Sequence, residues 1–143
     1  MASKHLRILD EGQGEYLPVD PDGFREWVGA KERRLISKLV SAEEAVARYV
    51  ADGDYIVWEC NYLQRGPAAL LREVIRQRKR NLWLGGKFTW VMAAMLVEAG
   101  CCDRADMGFF VGGSVVSRAV QEGRLKVYEY SNVVMTARLR AGA

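Results

Sequence analysis

The sequence has a single histidine, His5, and this scarcity removes the commonest route to an activated nucleophile before any motif is sought. A Cys–His or Ser–His pair needs an imidazole within hydrogen-bond reach of the nucleophile, and the one imidazole here stands in a polar N-terminal stretch. Cysteine is scarce too. Cys60, Cys101 and Cys102 form no CxxC pair, and two neighbours in sequence rarely bond each other, so a secreted disulfide framework is not expected. Charge of one sign is also missing: 21 Lys plus Arg against 18 Asp plus Glu leave +3, which indicates neither a nucleic-acid nor a membrane partner. No apolar run is long enough for a signal peptide or a membrane span. The expectation is a soluble, cytoplasmic protein with no bound metal and no resident cofactor.

Half of the 143 residues are apolar, enough for one core without metal or disulfide support. Residues 1–35 are polar, hold Pro18 and Pro21, and carry one short amphipathic piece at Phe24, Trp27 and Val28. They read as an arm or cap before a domain over residues 36–143. At Ser41 the pattern changes. SAEE offers a serine N-cap with Glu44 three positions on, and Ala45, Val46, Tyr49 and Val50 follow at helical spacing.

From Tyr55 onward, strands and helices alternate. YIVW (Tyr55–Trp58) reads as a buried strand, and Pro67 opens a helix carrying Leu70, Leu71, Val74 and Ile75. LWLGG (Leu82–Gly86) and a helix from Thr89 to Ala99 form a second unit, closed by Gly100. A third runs from Ala105 to Val111 and then through Val115, Val116, Ala119 and Val120. The fourth is LKVYEY (Leu125–Tyr130), followed by Ser131 as N-cap of a helix with Val134, Met135 and Leu139. Such a succession predicts an α/β fold with a mostly parallel sheet, right-handed crossovers and flanking helices. Ligands in such sheets bind beyond the carboxyl ends of the strands, so the loops at 59–66, 85–89, 111–114 and 130–132 should share one rim. The last residues, Arg138 to Ala143, fall in or just past a helix with no strand after them, so the domain reads as cut short.

Several residues on that rim could carry chemistry, each beside a plainer reading. Glu59 follows a strand end, where a carboxylate can act on a ligand or simply face water. Cys60 has the place of a nucleophile but no histidine to activate it, so a small packed side chain serves as well; Cys101 and Cys102, at a helix end, read as packing residues. Gly85-Gly86-Lys87 could bring backbone N–H groups to an anion, yet lacks the spacing of GxGxxG or GxxxxGK[ST] and suits an ordinary strand-to-helix turn. Glu129, between Tyr128 and Tyr130, could be desolvated and serve as a general acid or base, or could cap the next helix. The basic run from Arg76 to Arg80 ends a helix, where cations meet exposed carbonyls, and no aromatic residues accompany it for base stacking.

The order SKLVSAEEAVARYVADGDYIVW, the Pro67 helix, NLWLGG and RAVQEGRLKVYEYSNVVMTARLRAGA resembles the A (alpha) subunit of the glutaconate-type coenzyme A transferases. The resemblance runs from about Ile36 to Ala143, roughly three quarters of the chain. Its most specific part is a strand end of the form K-[VLI]-x-x-E-x-[YS]-S followed by a helix rich in small residues. In the family that helix leads to Gly-x-Pro-Phe-x-Pro and about another half of the subunit. The resemblance implies a Rossmann-like domain of the CoA-transferase and sugar-isomerase type. It also implies a hetero-oligomer with a B-type subunit that supplies the nucleophilic glutamate, and acyl-CoA and a carboxylic acid as substrates.

Family A subunits carry Gly-Gly-Phe after the first strand, where this sequence reads Glu59-Cys60-Asn61. Glycines there let backbone N–H groups approach an acyl oxyanion, an approach that side chains obstruct. The resemblance thus marks Glu59, Asn61 and Glu129 as candidate catalytic residues, with Cys60, Gly85, Gly86 and Ser131 lining the substrate. Three readings stay open: a CoA-transferase subunit, a hydrolase or decarboxylase of CoA esters on the same fold, and a non-catalytic binding or assembly module.

Overall fold

The computed structural model describes residues 21–58, 65–88, 91–109 and 113–141. The chain divides into two compact units, Met1–Lys38 and Leu39–Ala143. In the first, α1 (Pro21–Ala30) sets the Phe24 and Trp27 rings 5.7 Å apart, with the Lys31 ammonium 3.5 Å from the Trp27 ring centre.

The second unit begins with α2 (Ala42–Tyr49), where the Ser41 hydroxyl accepts the Glu44 N–H at 3.0 Å, the cap that SAEE predicts. Then come β1 (Tyr55–Val57), α3 (Ala68–Arg76), β2 (Leu82–Phe88), α4 (Val91–Glu98), β3 (Cys102–Phe109), α5 (Gly113–Gln121), β4 (Lys126–Glu129) and α6 (Asn132–Ala141). The strands form one sheet in the order β1-β2-β3-β4, parallel throughout.

Stepping one strand over each time in the same direction, right-handed crossovers must put α3, α4 and α5 on one face. The core shows that they are there. Leu71 and Val74 of α3, Ala93, Leu96 and Val97 of α4, and Val116 and Ala119 of α5 pack with Leu84, Ala105 and Met107 of the sheet. Residues one position off in the strands, Trp83, Gly85, Asp106 and Tyr128, turn to the other face because side chains alternate with a period of two. Among the described helices of this unit, α6 is the one that packs closely on this face, against β2 and β3.

β1 and β4 lie within a residue of their sequence reading, although β1, expected to be buried, leaves Val57 exposed, and the other two strands differ by more. β2 continues through Gly85 and Gly86 to Phe88, so the glycine pair is the middle of a strand and not a loop. Strands on both sides of it hold its backbone: Gly85 pairs with Val57 and with Asp106. β3 begins at Cys102, three residues earlier than expected, because Leu82 pairs with Cys102 ahead of an irregularity in the ladder. Cys102 is therefore a strand residue. Val111, the expected end of that strand, lies outside the described residues.

The two ends of the basic run, Arg76 and Arg80, are taken up by a helix end and local pairs. The Arg80 guanidinium donates to the carbonyls of Ala99 and Gly100 at 3.2 and 3.3 Å, capping the C-terminal end of α4, while Arg76 pairs with Glu73 at 2.6 Å and Glu43 at 3.3 Å.

Candidate functional site

The carboxyl ends of the four strands make one rim. β1 stops at Val57, β2 at Phe88, β3 at Phe109 and β4 at Glu129, and the register sets Val57 beside Gly85, Phe88 beside Phe109 and Met107 beside Glu129. The loop after β1 leaves from this edge. Its residues Glu59, Cys60 and Asn61 lie outside the described residues, as do 110–112 of the loop after β3.

The remaining residues named from the sequence find definite places. Gly85 is buried under the Tyr55 side chain: a Cβ there would collide with the phenol oxygen and come 2.5 Å from Cζ, so this glycine is a packing requirement. Gly86 is buried beside Met107 in the ladder. Glu129 is exposed, although Tyr128 and Tyr130 on either side of it are half-buried. Ser131 caps α6, its hydroxyl accepting the Val134 N–H at 3.1 Å. Asn132 follows it, and its Oδ1 occupies the space that a Cβ on Gly108 would need. The α6 N-terminus thus stands directly against the end of β3.

The face under α6 holds a polar cluster that sequence reasoning missed. Asp106 is 0 % exposed, the one buried charged side chain among the described residues. It accepts the Trp83 indole N–H on Oδ1 at 2.9 Å and the Tyr55 hydroxyl on Oδ2 at 3.2 Å. Arg138 of α6 brings Nη1 to 2.9 Å from Oδ2. That nitrogen lies within ion-pair distance but off the direction of a hydrogen bond, so the attraction is one of charge. The guanidinium also rests over the Tyr130 ring, 4.6 Å from its centre. Aromatic contacts complete the layer: Trp83 lies 5.8 Å from both Tyr55 and Tyr128.

Magnitudes show what this cluster does for α6. The helix fully buries only Met135, worth about 2 kcal/mol, while its Val133 is 78 % exposed and Val134 and Leu139 are 43 % exposed. Breaking a buried ion pair from one side costs about 3–5 kcal/mol. That cost is the penalty of orphaning one charge, lessened here because Arg138 is 33 % exposed, so the pair makes the seat of α6 sensitive to loss of either partner.

The same surroundings keep Tyr55 protonated. Burial, and then the charge of Asp106, push its phenol from 10.0 up to about 12. A raised acid contributes stability that is complete below the ordinary value and is lost as pH climbs through the shifted one. Tyrosinate absorbance and the thermal midpoint, followed together, should therefore show one tyrosine ionising late, with stability falling between pH 10 and 12. Tyr55→Phe should remove that late step. Persistence of the step in the variant would assign it elsewhere.

Cys101 and Cys102 are packing residues as expected, Cys102 as the first residue of β3 and not at a helix end, with exposures of 0 % and 6 %. Burial raises both thiols, Cys102 to about 12, so neither supplies a thiolate near neutrality. Maleimide should leave both unmodified in the folded chain and label them after denaturation; peptide mapping that finds either labelled in the native protein would contradict this placement. Among the described residues no group of three or more His, Cys, Asp or Glu could hold a metal, and no helix is long and apolar enough to cross a membrane.

A signal for the missed cluster was present in the sequence. Within RADMGF, charged and apolar residues alternate, and an aspartate inside a strand bordered by strands needs partners. Those partners are far away in the chain, Tyr55 by 51 residues, and no local pattern names them.

Known proteins place this architecture. No family model matches the chain. A cysteine-to-serine variant of the decarboxylase AibA/AibB superposes with a TM-score of 0.66 and 33 % identity, over 71 % of this chain and 42 % of that one. Glutaconate coenzyme A-transferase from Acidaminococcus fermentans gives 0.64 at 23 % identity, over 73 % and 35 %. The alpha subunit of a malonate decarboxylase from Acinetobacter baumannii gives 0.55 at 19 %, over 68 % and 19 %. In sequence, an uncharacterized protein of Archaeoglobus fulgidus is 34 % identical over 147 residues, covering 96 % of this chain. The chain spans 33 % of that relative's length. The four-stranded parallel sheet with its flanking helices is a CoA-transferase-like fold.

Proposed function

We propose that the chain is part of the A-type subunit of a heteromeric enzyme acting on CoA esters at this rim, and that its reaction is decarboxylation and not CoA exchange. The observation that carries this is the 33 % identity with the decarboxylase AibA/AibB, against 23 % with the transferase. It agrees with the Glu59-Cys60-Asn61 segment, which puts side chains where the transferase pattern has Gly-Gly-Phe.

Decarboxylation of a CoA ester breaks the C–C bond between a carboxylate and the carbon α to the thioester carbonyl, or the γ-carbon when a C=C links it to that carbonyl. CO2 leaves, the bonding pair moves into the thioester as an enolate, and a proton then returns to carbon. Such a site needs a donor aimed at the thioester oxygen and an acid that can be reprotonated from solvent. Asn61 takes the first role through its side-chain amide and Glu59 the second, with Cys60 between them against the acyl group. Glu129 and Ser131 belong to the far side of the same rim, where the substrate passes the α6 N-terminus.

The test uses the chain purified with its B-type partner and the CoA esters of dicarboxylic acids. Release of CO2 without exchange of CoA between acids is the expected result. Exchange without CO2 would favour the transferase reading, in which a glutamate of the partner forms the acyl anhydride. Neither activity, with no calorimetric heat from CoA or acyl-CoA, would leave a binding or assembly module.

A further inference from the structure

We propose that Asp106 and Arg138 are positioning residues, whose ion pair under α6 sets where the N-terminus of that helix stands on the ligand rim. The functional half of this rests on the proposed function, since it supposes that the rim takes a CoA ester.

Three observations carry it. Asp106 lies in the middle of the sheet with no exposure, and two of its three partners, Tyr55 and Trp83, belong to β1 and β2. These fix the carboxylate to the sheet independently of α6. The third partner, Arg138, is in α6, six residues and roughly 9 Å of helix beyond Asn132. At the other end of that lever, Asn132 meets β3 at Gly108, and a Cβ added there would also come 3.3 Å from the Lys87 backbone, which cannot give way. Helix α6 is therefore seated at two points, a charge in its last turns and a glycine at its first. Beside these two points, Met135 is the one fully buried residue of the helix, with Val133 78 % exposed and Val134 and Leu139 43 % exposed, so few apolar contacts share in fixing its rotation and slide over the sheet. Ser131, as cap of α6, follows wherever that N-terminus goes, while Glu129 stays paired with Met107 at the end of the ladder.

The experiment compares the parent with Arg138→Met, Arg138→Lys and Gly108→Ala. Amide NMR shifts read the geometry, and CoA titration of the assembled protein reads the rim. Arg138→Met should move the amides of Gly108 and Asn132, although neither touches the substituted side chain, and should weaken CoA roughly tenfold or more. Arg138→Lys keeps the charge and should leave both close to the parent. Gly108→Ala leaves the pair intact and displaces the N-terminus directly, so it should weaken CoA comparably and keep the proposal testable if Arg138→Met does not fold.

Unmoved Gly108 and Asn132 amides in Arg138→Met would overturn the positioning role. So would moved amides with unchanged CoA affinity. A parent that binds no CoA would instead overturn the reading of the rim, while the amide shifts still decide whether the pair positions the helix.

Discussion

Replacing Asn61 by alanine in the assembled heteromer is expected to lower turnover on the order of a hundredfold or more with little change in substrate affinity. An amide aimed at the thioester oxygen bonds weakly to the neutral ground state and strongly to the enolate. Its loss therefore falls on the chemical step, about 3 kcal/mol for one such donor. Glu59→Gln separates the remaining role. If Glu59 returns the proton, the glutamine variant should still release CO2 but incorporate solvent hydrogen slowly. If Glu59 instead repels acids, the variant should widen the range of acids accepted. Steady-state kinetics with a deuterium-incorporation readout measures both, and parent-like behaviour of both variants would make this loop an ordinary turn.

The sequence made one layer of the molecule legible and hid the other. Ser41 and Ser131 announce their helices because a cap is a local contact, three residues long, and both hydroxyls make it. The strand–helix alternation was equally readable, since the apolar face of each helix repeats within one element. Gly85 and Gly86 misled because glycine marks a turn and also marks a place where another group comes close. Only the Tyr55 ring, from a different strand, shows that the second reason applies at Gly85. Glu129 misled in a related way: two flanking tyrosines suggest desolvation, but in a strand its side chain points away from both.

Asp106 illustrates why the hidden layer matters for stability. Asp106→Ala removes the acceptor of two hydrogen bonds and one ion pair, leaving the Trp83 N–H buried and Arg138 facing an apolar gap. The expected cost is about 3 kcal/mol, the lower end for a broken buried pair, because Arg138 can turn its exposed edge further into water. Taking away both charges should be milder than taking away one. In Asp106→Asn with Arg138→Met, the asparagine oxygen can still accept from Trp83 or Tyr55, and the methionine can cover the Tyr130 ring where the guanidinium lay. The double variant is therefore expected to recover at least about 1 kcal/mol relative to Asp106→Ala in urea unfolding. If Asp106→Ala costs less than about 1 kcal/mol, α6 is held by its apolar contacts after all. If the double variant is as unstable as Asp106→Ala, directed hydrogen bonds to the carboxylate and not its charge hold the face together.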